Sequence, residues 1–308
     1  MTINSKIPKK SNKNQIRRSK DDVAIDIAIY IILGLAGLVV AYPLWFVIIA
    51  SFSNPDAVWT GRVLFLPVDF TLAGYEQIFA NQAIWRGYAN TIFYTFFGTV
   101  INLFFTLTIA YPLSRKKFSG RNIITIFLMI TMYFGGGLIP TFMLMNNLGL
   151  VNTRAIMMLM GAVSVFNIII SRVFFETNLA GDLEEAAAID GCTPIKFFIS
   201  CAIPLSKALI AVMALFYGVR HWNDFFTALI YLRDANMFPL AMILRSILIQ
   251  AEVGAAVMDD HLELMARVRL AEQIRYGVII VSSVPMLMIF PFLQRYFNKG
   301  VLIGSIKG

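Results

Sequence analysis

Residues 181–205 read Gly181-Asp182-Leu183-Glu184-Glu185-Ala186-Ala187-Ala188-Ile189-Asp190-Gly191-Cys192-Thr193-Pro194-Ile195-Lys196-Phe197-Phe198-Ile199-Ser200-Cys201-Ala202-Ile203-Pro204-Leu205. This order specifies two short helices and a turn. Asp182 stands where an N-cap stands, and Glu184 and Glu185 fall in the first turn, where the helix dipole favours acids. The Glu-Ala-Ala-Ala run has high helix propensity. Gly191 can end that helix in the left-handed conformation glycine adopts at little cost. Thr193 can cap a second helix with Pro194 at its first position, and Pro204 bends the chain into the next apolar run. The reading is a compact helix–turn–helix whose alanines allow close approach by another protein.

Outward from this stretch the charges disappear. A bilayer core of about 30 Å needs about 20 apolar helical residues. Charge-free runs of that order lie at 27–55, 87–114, 122–153, 155–171 and 276–294. A sixth candidate, 208–231, is apolar in its first half and then carries Arg220, His221 and Asp224. The expectation is an all-α integral membrane protein with six transmembrane helices. It would have a basic tail over 1–26, a six-span domain over 27–297 and a terminal tail over 298–308.

The placement of charge sets the orientation. Lys6, Lys9, Lys10, Lys13, Arg17, Arg18 and Lys20 precede the first run, and Arg115-Lys116-Lys117-Phe118-Ser119-Gly120-Arg121 lies between two others. Basic residues beside spans stay in the cytoplasm. With both ends inside, 17 of the 26 Lys and Arg residues fall on the cytoplasmic side. The 181–205 stretch then lies inside. Segments 52–88, with Pro55, Gly61, Pro67 and Gly74, and 232–275 lie outside. The first reads as irregular. The second has helical apolar spacing near Pro239–Gln250, followed by Asp259, Asp260 and Glu263.

Composition agrees. Of 308 residues, 58% are hydrophobic and 14% charged, with a mean hydropathy of +0.72. A soluble domain carries about 25% charge, so an ordinary soluble enzyme is excluded, as is disorder. The net charge of +8 can signal nucleic acid, but its position beside spans makes it a topology signal. Cys192 and Cys201 are too few for a disulfide scaffold and sit at no metal-ligand spacing. His221 and His261 are too few for a His-rich metal site. The first run is too long for a cleaved signal segment. No phosphate-binding loop of the Gly-x-x-x-x-Gly-Lys type occurs.

The stretch also resembles a known family. Glu185, Ala186, Ala187, Gly191 and Pro204 match, at family spacing, the cytoplasmic loop of ABC importer permease subunits, with Cys201 and Ile203 where Ile and Leu are usual. Phe65-Leu66-Pro67 with Phe70-Thr71-Leu72 and Tyr75, Leu148-Gly149-Leu150-Val151-Asn152-Thr153, Trp222-Asn223-Asp224-Phe225 and the ending Gln294-Arg295-Tyr296-Phe297 are similar to MalG-like sugar permeases. Gly135-Gly136-Gly137-Leu138-Ile139-Pro140 looks closer to a branch handling larger oligosaccharides.

The resemblance implies a type I ABC importer permease fold in a bacterial cytoplasmic membrane. It implies a second, homologous permease subunit, two ATPase subunits that bind ATP and Mg2+, and an extracellular sugar-binding protein. This chain would hold no cofactor and no metal, hydrolyse no ATP and bind no nucleic acid. The loop over 182–204 would couple to the ATPase through Glu184, Glu185, Ala186, Ala187, Asp190, Gly191, Pro194 and Pro204, with Glu185 making a charge contact. Arg220 and Asp224, four apart on one helical face, can pair. With Trp222 and Asn223 between them, they either line the translocation pathway or gate, or fix packing against the partner permease. Asn102, Thr106 and Asn167 are expected to make interhelical hydrogen bonds. A permease for a non-sugar solute is the alternative within transport. A membrane enzyme or a receptor-like anchor is the alternative outside it.

Overall fold

A computed structural model describes residues 20–179, 181–256, 274–288 and 291. The described residues are helical or in connecting turns, with no strand among them. The tail before Lys20, the acids Asp259, Asp260 and Glu263, and the ending from Gln294 lie outside these residues.

Long apolar runs give long helices that tolerate internal Gly and Pro, such as Gly34, Gly37 and Pro43 in α1 and Gly98 in α4. α1 spans Lys20–Ser51, and its apolar side chains are exposed from Ile25 to Trp45. A helix apolar all round suits a lipid or protein surround rather than water. The segment after it, read as irregular, contains α2 (Pro55–Trp59) and α3 (Ala73–Ala80). Asn54 caps α2, accepting from Asp56 N at 2.9 Å. α4 (Gln82–Ser114) is the central helix, packed by the helices that come after it. Its Gly87 is dictated by packing: a Cβ there would lie 2.6 Å from Ile243 Cδ1 and 3.1 Å from Leu240 Cα.

Three runs expected as continuous spans are broken. The run 122–153 forms α5 (Arg121–Tyr133) and α6 (Leu138–Asn147), bent by 113°. Gly135, Gly136 and Gly137 occupy the bend, and Gly137 has φ +80°, a conformation open to glycine. The run 155–171 forms α7 (Arg154–Leu159) and α8 (Val165–Asn178), with Gly161 at φ +68° between them. The stretch 181–205 then supplies α9 (Gly181–Ile189), α10 (Pro194–Phe197), a π turn over Phe198–Ala202 and α11 (Ile203–Leu205). α12 (Lys207–Trp222) departs from it at 79°. The run 208–231 does not continue as one helix. It stops at Trp222 and resumes as α13 (Phe226–Tyr231).

A 3-10 turn at Ala235–Met237 leads into α14 (Leu240–Ala256), where helical spacing near Pro239–Gln250 is expected. The last described helix is α15 (Ile274–Met288). Among the described residues, two helices, Ala24–Ser51 and Gln82–Ser114, are long and apolar enough to cross a membrane. Two bent pairs bring the number to as many as four.

The buried side chains divide along α4. Near its C-terminal end, Leu107, Ala110 and Leu113 pack with Phe175 of α8, Phe197 of α10 and Met213 of α12. Toward the other end, Tyr94 packs with Ile156 and Met157 of α7 and with Ala228 and Tyr231 of α13. Ile84 joins Ile78, Leu240, Ile243 and Val278.

Candidate functional site

The helix–turn–helix is built by local rules. α9 begins at Gly181, so Asp182 lies inside its first turn with Glu184 rather than at the expected N-cap. At the other end Cys192 N donates to Ala187 O at 2.9 Å and Gly191 N to Ala188 O at 3.0 Å. This crossed pair of bonds around a left-handed residue is the Schellman termination, and Gly191 supplies it with φ +78°. Thr193 Oγ1 accepts from Lys196 N at 3.3 Å, and Pro194 opens α10.

The π turn is a consequence of Pro204. Proline at position 204 has no N–H to give to Ser200 O, and its ring crowds that carbonyl. The preceding turn widens, and Ile203 N donates to Phe198 O, five residues back. The chain therefore continues through Pro204 and bends only after Leu205.

One side of the hairpin is anchored and the other is bare. Phe197 is buried among α4, α8 and α12, with Ala187 and Cys192 packed against the same cluster. At the tip, Ile189 is 87% exposed and Ile195 74% exposed, beside the exposed Ala186, Asp190, Gly191 and Pro194.

The basic loop after α4 grips the hairpin from the side. Arg115 Nη1 lies 3.2 Å from Glu184 Oε2 and donates to Leu179 O at 3.3 Å. Lys117 Nζ donates to Glu185 Oε1 at 2.9 Å. That bond holds the Glu185 carboxyl below its ordinary range and raises the Lys117 ammonium above its own. Glu185 is thus partnered within its own chain, while 63% of its side-chain surface stays open. Arg121 and Arg172 share Glu176, at 3.0 and 3.9 Å.

The residues expected at the pathway separate. Arg220 and Asp224 do not pair. The helix ends between them, so the four-residue spacing no longer places them on one face. Arg220 donates to Met160 O and Gly161 O, both at 2.8 Å, across the α7–α8 break. Gly161 is glycine because its φ is positive and a Cβ would meet the Arg220 guanidinium. Asp224 Oδ1 accepts from Thr227 N, in the first turn of α13, at 3.1 Å. Trp222 is buried, its indole N–H donating to Ser282 O of α15 at 3.0 Å. Asn223 is exposed and donates to Val219 O at 2.8 Å.

No protein-family model matches the chain. Similar proteins span nearly its whole length. The protein LplC of Bacillus subtilis (strain 168) is 38% identical over 293 residues, covering 95% of this chain and 98% of its own. The polygalacturonan/rhamnogalacturonan transport system permease protein YtcP of the same organism is 37% identical over 284 residues, covering 92% and 98%. The chain belongs to the sugar permeases of the ABC importers. A crystal structure of a bacterial ABC transporter that imports the acidic polysaccharide alginate has a chain with the same fold. It matches at TM-score 0.82 and 32% identity, over 91% of this permease and 99% of that chain.

Two features of this permease escape sequence reasoning. The Arg115–Glu184 and Lys117–Glu185 pairs join segments about 68 residues apart, a separation that spacing rules for a single helix do not reach. The second is a polar lock at the broken helices. Asn102 of α4 donates to Gly161 O at 3.0 Å and Ala162 O at 2.8 Å, and its Oδ1 lies 2.7 Å from His221 Nε2. Thr106 meets Tyr217 OH at 2.6 Å. Asn102 and Thr106 fulfil the expectation of interhelical bonds, but the sequence does not name their partners. For Asn167 the described bond is its own N–H to Ser164 Oγ, within one turn.

Proposed function

We propose that this permease forms half of the membrane channel of an ATP-driven importer in the bacterial cell membrane, moving an oligosaccharide from an extracellular binding protein to the cytoplasm. Six spans with both ends inside accommodate the charge distribution. A second, homologous permease completes the channel. Two ATPase subunits beneath it bind and hydrolyse ATP with Mg2+, and this chain carries the resulting motion. Relatives named for sugar polymers favour an oligosaccharide over a non-sugar solute.

The observation that carries the reading is the hairpin tip. Exposed Ile189 and Ile195 flank a rigid turn at Gly191 on the side that bears the basic loop. Such apolar groups stay exposed at a cost unless a partner covers them, and an ATPase cleft is the cover that fits. Glu184, Glu185, Ala186, Ala187, Asp190, Gly191, Pro194 and Pro204 form or shape the docking hairpin. Phe197 transmits its displacement to α4, α8 and α12. A motion of the ATPase pair then biases the bundle between inward- and outward-open arrangements.

The test is Gly191→Pro in the reconstituted importer. Proline fixes φ near −65°, incompatible with +78°, and deletes the bond to Ala188 O. The complex is expected to assemble, while stimulation of ATPase activity by the loaded binding protein falls to near its unstimulated level. Full stimulation in an assembled mutant refutes docking through this turn.

A further inference from the structure

The four ion pairs that join described residues, Arg115–Glu184, Lys117–Glu185, Arg121–Glu176 and Arg172–Glu176, all lie on the side of the docking hairpin. Away from it the arginines are held differently. Arg220 rests on two backbone carbonyls. The guanidinium carbon of Arg245, on α14, lies 5.2 Å from the centre of the Phe225 ring. Arg154 lies 5.8 Å from the Phe93 ring. All three are exposed, and none has a carboxylate partner among the described residues. Two acids of the same region are engaged by their own turns: Asp224 accepts from Thr227 N and Asp234 from Asn236 N.

These arginines belong to one structural unit. Asn152, two residues before Arg154, ties α7 to the end of α13: Asn152 N donates to Tyr231 O at 2.8 Å, and its Oδ1 accepts from Arg233 N at 2.9 Å. Arg220 grips the other end of α7, and Phe225 immediately precedes α13. Carbonyls and ring faces hold a guanidinium in place without cancelling its charge, and leave N–H donors free. A stacked guanidinium presents a fixed fork that matches a carboxylate in two-point contact.

We propose that Arg245 and Arg220, with exposed Phe225 and Asn223 between them, form a selectivity station for an oligosaccharide that bears carboxylates, a chain of uronic acid units. The inference rests on the importer reading and names the substrate class for it. Charged side chains along a path select for ions of opposite sign. The Phe225 ring offers a surface to the apolar face of a sugar, and Asn223 offers an amide to its hydroxyls. Engagement of Arg220 by carbonyls, rather than by a buried acid, keeps the station positive while the sugar passes. The contact stays exchangeable because Arg245 is exposed rather than sealed in a pocket of this chain.

Arg245 is the residue to test, because Arg220 also holds the α7–α8 break. Cells carrying the whole importer are given a labelled trigalacturonate or a neutral trisaccharide of matched length. Arg245→Gln is expected to reduce trigalacturonate uptake about tenfold while the purified complex keeps its ATPase stimulation. Arg245→Lys, which keeps the charge and loses the fork, is expected to recover part of the rate. Unchanged uptake in Arg245→Gln overturns the proposal. So does an equal loss of uptake and ATPase stimulation in both variants, which marks a packing role. Wild-type uptake of the neutral sugar alone overturns the uronate station and leaves the importer intact, whereas uptake of neither sugar counts against the importer reading itself.

Discussion

Replacement of Asn102 by Leu tests whether the broken helices are held by the bonds described at their junction. The side chain is fully buried and matches leucine in branching and heavy-atom count, so the change exchanges polar atoms for methyl groups of somewhat larger volume, and any overpacking adds to the loss. It deletes three interactions: those to Gly161 O and Ala162 O, and that with His221 Nε2. Interhelical hydrogen bonds in membrane bundles contribute about 0.6 kcal/mol each on average, which gives about 2 kcal/mol. Arg220 still donates to Gly161 O in the mutant, so that carbonyl is not orphaned. The comparison is Tyr217→Phe, which deletes the single bond to Thr106 and is expected to cost about 0.6 kcal/mol. The assay is reversible unfolding of the purified permease complex in mixed detergent micelles, with both mutants measured under the same conditions. The expected order is wild type, then Tyr217→Phe, then Asn102→Leu, with the second loss about three times the first. An Asn102→Leu protein as stable as wild type, or less perturbed than Tyr217→Phe, refutes the lock.

Gly98→Ala approaches the same lock from behind: a Cβ there would lie 2.5 Å from His221 Nε2, so the ring must leave Asn102. Destabilisation close to that of Asn102→Leu is expected, and additivity in the double mutant would show that the two act separately. Reversal of either charge in the Lys117–Glu185 pair should weaken stimulated ATPase activity modestly, and Lys117→Glu with Glu185→Lys should recover it. The pair's contribution should be constant through neutral pH. Glu185 is depressed, so the contact persists above the ordinary carboxylate range and is lost as acid carries pH through the lowered value. Lys117 is raised, so the contact is lost only as pH climbs through the elevated lysine value. A step in the wild-type activity near pH 7 that both single mutants abolish would contradict this assignment. High salt should shrink the difference between single and double mutants, since both groups are exposed.

The positions of charge are enough to delimit most of the apolar runs, because a charged side chain inside a bilayer is costly and most mark loops. They cannot reveal continuity. A charge-free run reports only that nothing in it needs water, and a broken helix packed inside a bundle meets that condition as well as a straight one. Gly135–Gly137 bend one run and Gly161 another, and neither position carries charge. The run at 208–231 misleads for a related reason. Arg220 and Asp224 have the spacing of a helical pair, but the chain leaves the helix at Trp222, and each residue finds backbone instead. In the hairpin the legible parts are local. Left-handed φ at Gly191 and the Thr193 cap depend on a few neighbouring residues. The grip of Arg115 and Lys117 on Glu184 and Glu185 depends on how two distant segments come together, and no local rule encodes it.

Placement of the breaks bears on how displacement at the hairpin can reach the pathway. If α12 ran straight from the hairpin to Tyr231, a push at the tip would move the entire span as a rod. Here the helix is interrupted after Trp222, and Arg220 and His221 fix its last turn to the α7–α8 break through Gly161 and Asn102. The hairpin half of α4, by contrast, is joined to the hairpin through Phe197 and Arg115. On the proposed function, displacement therefore enters at one end of α4 and α12 and meets a set of hydrogen bonds to backbone carbonyls at the break. Such bonds are directional and either form or do not, so the region beyond them responds in steps rather than in proportion. Asn223 and Phe225, beyond the break, are among the residues proposed to meet the sugar. A bundle with these properties can hold its pathway in one arrangement until the docked hairpin has moved far enough to break the lock.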